Sequence, residues 1–334
     1  MHRPSVLIVG CGSIGERHLR CFLKTGRAGV TACDTAPAVL TRIHATYGVK
    51  TSADWLGEMR SGRHAVAVIC TPASLHVEMA TRALEAGLHV LIEKPLSQSL
   101  AGTEQLLEAR TRSGRQVALA YVYHAFPVLR EVRAFLAENR LGPIVHAVAT
   151  SGQPFHRLRP GYAGTYYRDR QTGGGAIQDA LTHVANWMES VLGPTESVLC
   201  DCAHLAVPDV EVEDTVAVSA RHAGAHCHYS LNQFQAPNEN HLQLNAANGS
   251  VRIELHRQRW GTFTPDSTDW DWRPSVPVER DGHFVAQANA FLDQVESRAS
   301  PLCSLEAGLQ TLRFNLAALA SAASGTRVDC ATVS

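Results

Sequence analysis

The chain lacks any excess charge of one sign. It has 30 Lys+Arg against 31 Asp+Glu in 334 residues, a formal net charge of −1. Proteins that bind nucleic acid or anionic membranes normally carry a basic excess, so neither partner is expected. No apolar run approaches the ~18 residues of a membrane span. The N-terminal apolar stretch is short and runs into glycines and a charged helix, which does not read as a secretory leader. No CxxC spacing is present, the one HxxxH, His222 to His226, spans an expected hairpin turn, and aromatics are only 6%. The nine cysteines are odd in number and scattered. They read as reduced thiols, and a cytoplasmic location is expected. Cys200, Cys202 and His204 alternate on one expected strand, and His222, His226, Cys227 and His228 follow on the next hairpin. Without a CxxC pair, this group reads as a Cys- and His-rich hairpin, and no metal is expected. Repeats and low-complexity segments are also absent.

What is present is a core-forming composition, 45% apolar, and a first third that alternates strand and helix. Ser5 to Val9 is a short apolar run of the kind that forms a buried parallel strand. Gly10, Cys11, Gly12, Ser13, Ile14 and Gly15 follow as G-x-G-x-x-G, and then a helical pattern starts. A second strand ends at Asp34, 19 residues after Gly15, close to the ~20 expected of the acid that takes ribose hydroxyls in a dinucleotide fold. In that reading Gly10 makes the tight turn, Gly12 lets a pyrophosphate reach the backbone, and Gly15 lets helix and strand pack. The helix N-terminus offers unpaired N–H groups, with Ser13 and Ile14 in its first turn. Asp34 would repel a 2′-phosphate, and Thr35, Ala36 and Pro37 supply no Arg to offset it. NAD is therefore expected over NADP. Further strands run over His64–Cys70, His89–Ile92 and Gln116–Tyr121. Cys70, Thr71, Glu93, Lys94 and Tyr121 fall at strand carboxyl ends, where a doubly wound sheet holds its ligand.

Glu93-Lys94-Pro95 at the end of the His89–Ile92 strand resembles the Gfo/Idh/MocA oxidoreductase family. Thr71, Pro72, Ala73, Ser74, Leu75 and His76 are similar to that family's T-P-N-x-x-H. Tyr121 to Pro127 resembles its Y-N-x-R-x-x-P, with Val122 and His124 in place of Asn and Arg. Gly173-Gly174-Gly175, then Asp179 and His183, match its G-G-G-x-x-x-D-x-x-x-H. Phe284 to Gly325 is similar to its final helices. The resemblance implies an NAD-binding Rossmann domain over residues 1–123. It implies an α+β domain over 124–334 for substrate and oligomer contacts, built on a large, mostly antiparallel open sheet, with the final helices packing back toward the first domain. A homodimer or homotetramer is expected.

The implied reaction is hydride transfer between nicotinamide and a ring carbon of a sugar, sugar derivative or cyclic polyol. Redox-assisted glycoside cleavage is the alternative, and a non-enzymatic NAD sensor is the third reading. Lys94 is a cation at a strand end, suited to polarise a carbonyl or stabilise an alkoxide. Pro95 makes a cis peptide accessible and would aim Lys94 inward. Asp179 and His183, four apart, are expected one turn apart on a helix face. There His183 exchanges a proton and Asp179 positions it and a substrate hydroxyl. These two and Lys94 are expected to meet across the cleft between domains.

From about residue 143 period-2 segments recur, and Asn248-Gly249 is a strong hairpin signal. The loop from Gln153 to Arg170 carries His156, Tyr162, Tyr166 and Arg168 just before the triple glycine. With Tyr123 they are the candidate substrate contacts, because aromatic faces and Arg or Tyr donors suit a polyhydroxylated ring. Thr262 to Pro277, with Trp270 and Trp272, reads as a lid or an oligomer contact.

Overall fold

A computed structural model describes residues 3–333. The chain forms two compact units. One comprises the residues up to Ala125 together with Val278–Leu309; the other comprises Phe126–Pro277 together with the residues from Gln310 on. Among the described residues no helix is long and apolar enough to cross a membrane.

The first unit alternates β1 (Ser5–Val9), α1 (Ser13–Lys24), β2 (Gly29–Cys33), α2 (Pro37–Tyr47), β3 (Lys50–Ser52), α3 (Trp55–Arg60), β4 (Val66–Ile69), α4 (His76–Glu85), β5 (His89–Ile92), α5 (Thr103–Ser113) and β6 (Val117–Leu119). The strands form one parallel sheet in the order β3-β2-β1-β4-β5-β6. That is the Rossmann order, with the switch point between β1 and β4. The apolar runs of β1 and β4 are buried on both faces, as helix-covered parallel strands must be. The segment α2–β3–α3 leaves little periodic signal in the sequence, yet it has clear punctuation. Pro37 opens α2, and Gly48 closes it in the left-handed conformation.

The second unit holds α6 (Pro127–Ala137), β7 (Ile144–Gly152), α7 (Phe155–Leu158), α8 (Thr182–Leu192), β8 (Thr195–Ala203), β9 (Thr215–His222), β10 (Ala225–Asn232), β11 (Glu239–Ala246), β12 (Gly249–Glu254), β13 (Arg259–Phe263) and β14 (Asp271–Pro274). Its nine strands run β14-β13-β12-β11-β7-β10-β9-β8-β15, with β15 at Val328–Asp329. All pairs are antiparallel except β7 with β10. Alternation is plain in β10: Cys227, Tyr229 and Leu231 are buried, and His226, His228 and Ser230 are exposed. The stretch from Thr262 to Pro277 forms the edge of the sheet. There Arg252 stacks on Trp270 and Arg259 on Trp272, at 4.3 and 4.0 Å from the ring centres.

Two helices follow, α9 (Arg280–Val295) and α10 (Leu305–Ser324). The sequence reading ran the second domain over 124–334, with the final helices packing back toward the first. The compact units divide it, and α9 lies in the first. The reason is its apolar stripe. Phe284, Gln287, Ala288, Phe291 and Leu292 are buried at helical spacing, and the last three apolar ones join Leu19, Phe22 and Ile43 in one core. Asp281 at its start pairs with Arg20 at 2.6 Å, and Arg17 and Lys24 stand within 3.6 Å. In the second unit, Phe314 of α10 meets Tyr229 edge-on at 5.6 Å on the buried face of the sheet.

Candidate active site

In the first unit the site is made mostly of backbone. Gly10 has φ +85°, and a β-carbon there would lie 2.8 Å from the Cys70 carbonyl oxygen. A β-carbon on Gly15 would collide with the Gly10 carbonyl. On Gly12 it would meet nothing within 4 Å. Gly12 also caps α1 without a side-chain hydrogen bond, so the first-turn N–H groups beside Ser13 and Ile14 have no side-chain acceptor there. This open, N–H-lined space is what a pyrophosphate fills. Asp34 follows β2. One of its carboxylate oxygens accepts from the Cys11 N–H at 2.7 Å and the other from the Ala36 N–H at 2.9 Å. That fixes the carboxylate while leaving lone pairs for ribose hydroxyls. Burial, with Asp34 nearby, pushes the Cys11 thiol up to about 12, so this loop cysteine is a packed neutral thiol.

The later strand ends are braced by buried polar groups. His76 Nδ1 lies 2.9 Å from the Pro95 carbonyl and Nε2 lies 2.8 Å from the Thr71 carbonyl, so it ties the segment carrying Cys70, Thr71 and Pro72 to the one carrying Lys94. Burial lowers its pKa against the pull of the two carbonyls. Glu93 is 5% exposed, 2.6 Å from His18 Nε2, and accepts the Lys94 N–H at 3.0 Å. Burial would raise its pKa, but His18 and the Lys94 charge and amide outweigh burial and hold it low. Lys94 itself is half-buried, and its bond to Pro95 is cis. Tyr121 is fully buried beyond β6, and Tyr123 is half-buried in the 3-10 turn Val122–Ala125.

In the second unit the triple glycine turns into a π-helical segment, Ile177–Leu181, before α8. The single α-helix expected to carry both residues is therefore two segments: Asp179 lies in the π turn and His183, half-buried, in the first turn of α8. Both ends of this stretch are pinned. Glu213, 2% exposed, accepts the Ile177 N–H at 3.1 Å and pairs with Arg170 at 2.8 Å, and its own carbonyl accepts the Ala176 N–H at 2.9 Å. At the other end Thr182 and Asn186 are hydrogen-bonded to Asn315 and Thr311 of α10. With both ends fixed, the extra residue widens one turn. Asp179 is 7% exposed and accepts a 2.7 Å hydrogen bond from the hydroxyl of Tyr166, itself 44% exposed.

So the structure brings Asp179 and Tyr166 together. Tyr162 behaves differently. Its ring is packed with Phe155, Tyr167, Val207, Val210 and Val212, and its hydroxyl donates to the Pro208 carbonyl. It builds the loop's own small core. His156 lies half-buried on α7, and Arg168 is exposed. Sequence reasoning missed Glu213 and Asp214. Asp214 accepts the N–H groups of Leu205, Ala206 and Val207 and so fixes the loop over Tyr162. The only local signal for this pair was two acids at the entrance of an alternating strand. The Cys and His group weighed for zinc is not gathered: His204 bonds the Val207 carbonyl and His222 the Gly193 carbonyl.

Residues 5–121 match the model of an oxidoreductase family with an NAD-binding Rossmann fold, and residues 129–252 match the GFO/IDH/MocA C-terminal domain. The chain belongs to the GFO/IDH/MocA oxidoreductase family. Its cofactor is NAD, and the geometry around Gly12 and Asp34 fits that group. A 1,5-anhydro-D-fructose reductase of Ensifer adhaerens is 26% identical over 273 residues, 79% of each chain. The myo-inositol dehydrogenase Hyg17 of Streptomyces leeuwenhoekii is 28% identical over 169 residues, 49% of this chain and 51% of that one. A levoglucosan dehydrogenase solved with NADH and levoglucosan shares the fold with a TM-score of 0.89. The match is 20% identical and covers 98% of this chain and 100% of that one.

Proposed function

We propose that this oxidoreductase acts on a ring carbon of a sugar, sugar derivative or cyclic polyol. The observation that carries this is the Tyr166–Asp179 pair. A buried carboxylate whose oxygen already takes the proton of a half-exposed phenol presents two acceptor oxygens, one carboxylate and one phenolic, to the donating O–H groups of vicinal hydroxyls. Relatives named for anhydrofructose, inositol and levoglucosan support the class. Bound NAD supplies a hydride acceptor or donor. In this reading Asp179 and Tyr166 orient the substrate, with Tyr123, His156 and Arg168 as further contacts. Tyr162 belongs to the scaffold. Lys94 stabilises charge on the reacting oxygen, and His183 takes or returns the hydroxyl proton.

Two further assignments belong here. A homodimer or homotetramer is proposed, to be read by light scattering. Nine free cysteines, eight of them buried, fit a reducing compartment such as the cytoplasm.

The test is a panel of sugars, inositols and glycosides incubated with NAD, following NADH and free aglycone together. NADH accumulation with a sugar or inositol is expected. Aglycone release without NADH would replace the assignment with redox-assisted glycoside cleavage, and no turnover across the panel would overturn it. Binding of NAD(H) is expected to be tighter than that of NADP(H), and Asp34→Ser should narrow the gap, since it removes repulsion of the 2′-phosphate. Titration of both dinucleotides checks this, and tighter NADP(H) binding by the wild type would refute it.

A further inference from the structure

Away from this site, one group of side chains has the composition and spacing of a metal centre. Glu239 and His241 stand two apart on β11 and so share a face. His256 lies in the 3-10 turn Leu255–Arg257 that follows β12, the antiparallel neighbour of β11. Glu239 Oε2 is 3.8 Å from His241 Nε2, and Glu239 Oε1 is 4.0 Å from His256 Nε2. One ligand atom from each of the three lies within 4.8 Å of the other two.

His256 supplies a second observation. It is 15% exposed, and its Nε2 is buried without a hydrogen-bond partner. An orphaned buried nitrogen of this kind destabilises the fold unless something binds it. Its Nδ1 lies 3.3 Å from both the Asn240 carbonyl oxygen and the Asn240 amide nitrogen, so it donates to the first in one tautomer and accepts from the second in the other. The tautomer that donates to the carbonyl is the one that turns an Nε2 lone pair toward Glu239, and a bound metal ion would select it. Metal-bound histidines are held in this way by a backbone carbonyl behind the ring. The neighbouring cations do not oppose a metal ion here, because Arg257 and Arg259 are both drawn to Glu254, at 3.7 and 2.6 Å.

We propose that Glu239, His241 and His256 bind one zinc ion, with water completing the shell. Two imidazoles and a carboxylate suit zinc and not magnesium or calcium, which take oxygen ligands. Bonds of ~2.0–2.2 Å bring tetrahedral ligand atoms to roughly 3.3–3.5 Å apart, so a cluster whose ligand atoms now lie within 4.8 Å closes by up to about an ångström and a half on its widest side. Glu239 is paired with Gly152, the last residue of β7. The ion would clip the sheet together at the end from which the Tyr166 loop departs.

The test uses the full chain, stripped with a chelator and titrated with zinc chloride against a chromogenic competitor, with Tm followed in parallel. One zinc per chain and a rise in Tm are expected, and magnesium should produce neither. His256→Ala and His241→Ala should each weaken zinc at least about 100-fold, beyond the ~10–100-fold typical of residues behind the ligands. His228→Ala controls for an ordinary surface imidazole. It removes the neighbour of His146, 5.6 Å away on the same sheet, and should change nothing. Glu239→Gln keeps the shape and should weaken zinc about 10-fold, so the site stays testable if a histidine variant misfolds by circular dichroism. Equal zinc uptake by wild type and His256→Ala, or none by wild type, overturns the proposal.

Discussion

The two glycine-rich turns look alike in sequence and use the missing side chain in opposite ways. After β1, the space beside Gly12 is open. Before the π turn, the space beside Gly174 is taken by the Tyr167 carbonyl, and the space beside Gly175, at φ +98°, by the Glu213 carboxylate. The first turn leaves room for a ligand. The second lets the protein's own groups close around Asp179, the residue proposed to hold one. A glycine motif therefore does not mean an empty cradle; what a β-carbon would strike decides which kind it is.

The sharpest way to break this comparison is through the chemistry the second turn supports. His183→Ala should lower kcat by ~10²–10⁴, the scale of general acid–base catalysis, while NAD affinity, measured by titration, stays near wild type. Lys94→Ala should lower kcat on the same scale. A His183→Ala enzyme with near wild-type kcat would leave Lys94 as the proton carrier.

The next effect separates glycines within one motif. Gly15→Ala forces a β-carbon into the Gly10 carbonyl and should destabilise the fold by about 1–3 kcal/mol or more. Gly12→Ala should leave Tm within a degree or two and weaken NAD about 10-fold or more, since it fills only the ligand's space. Thermal melts and NAD titrations on both variants check this. A stable Gly15→Ala protein would refute the packing argument.

A smaller effect is expected from Glu213→Gln. The amide offers one acceptor oxygen where the Ile177 N–H and Arg170 now find two, so one of them faces an NH₂. The π turn should shift and kcat/KM fall roughly 10- to 100-fold, as misplacement by about an ångström does. NAD affinity should not move, which separates a positioning role from general damage.

The smallest effect is electrostatic. The Arg20 hydrogen bond, then the charges of Arg20, Lys24 and Arg17, lower the Asp281 pKa to about 2 against the effect of burial. Because the folded pKa lies below the unfolded value of ~3.9, the stabilisation is present above pH ~4 and is lost as pH falls toward 2. Solvent screening limits it to about 1 kcal/mol. Asp281→Asn should lower Tm at pH 7, and the difference from wild type should shrink by pH 2.5.

The sequence carried most of what depends on local pattern. The buried runs of β1, β4 and β5, the alternation of β9 to β12 and the Asn248-Gly249 turn were legible because strand burial writes its own period. Gly10, Gly12, Gly15 and Asp34 were legible because their spacing is set within one βαβ unit. Glu213 was not, because it reaches Ile177 across 36 positions, and no local period records such a contact. Tyr162 and Tyr166 share one aromatic-rich loop. Only the fold sends one into a core with Phe155 and Tyr167 and the other onto Asp179. The π turn was hidden for a related reason: it follows from fixed ends, not from the residues inside it.

The place of α9 has a consequence for synthesis. Phe291 and Leu292 complete a core whose other members, Leu19, Phe22 and Ile43, leave the ribosome first. Roughly 150 residues separate the two parts, so at ~5–20 residues per second the early segment waits about ten to thirty seconds for its last helix. During that interval an apolar face on α1 and its sheet stands uncovered while all but the last strand of the second sheet is being made. The nascent chain thus has reason to meet a chaperone at its beginning, well before its end exists.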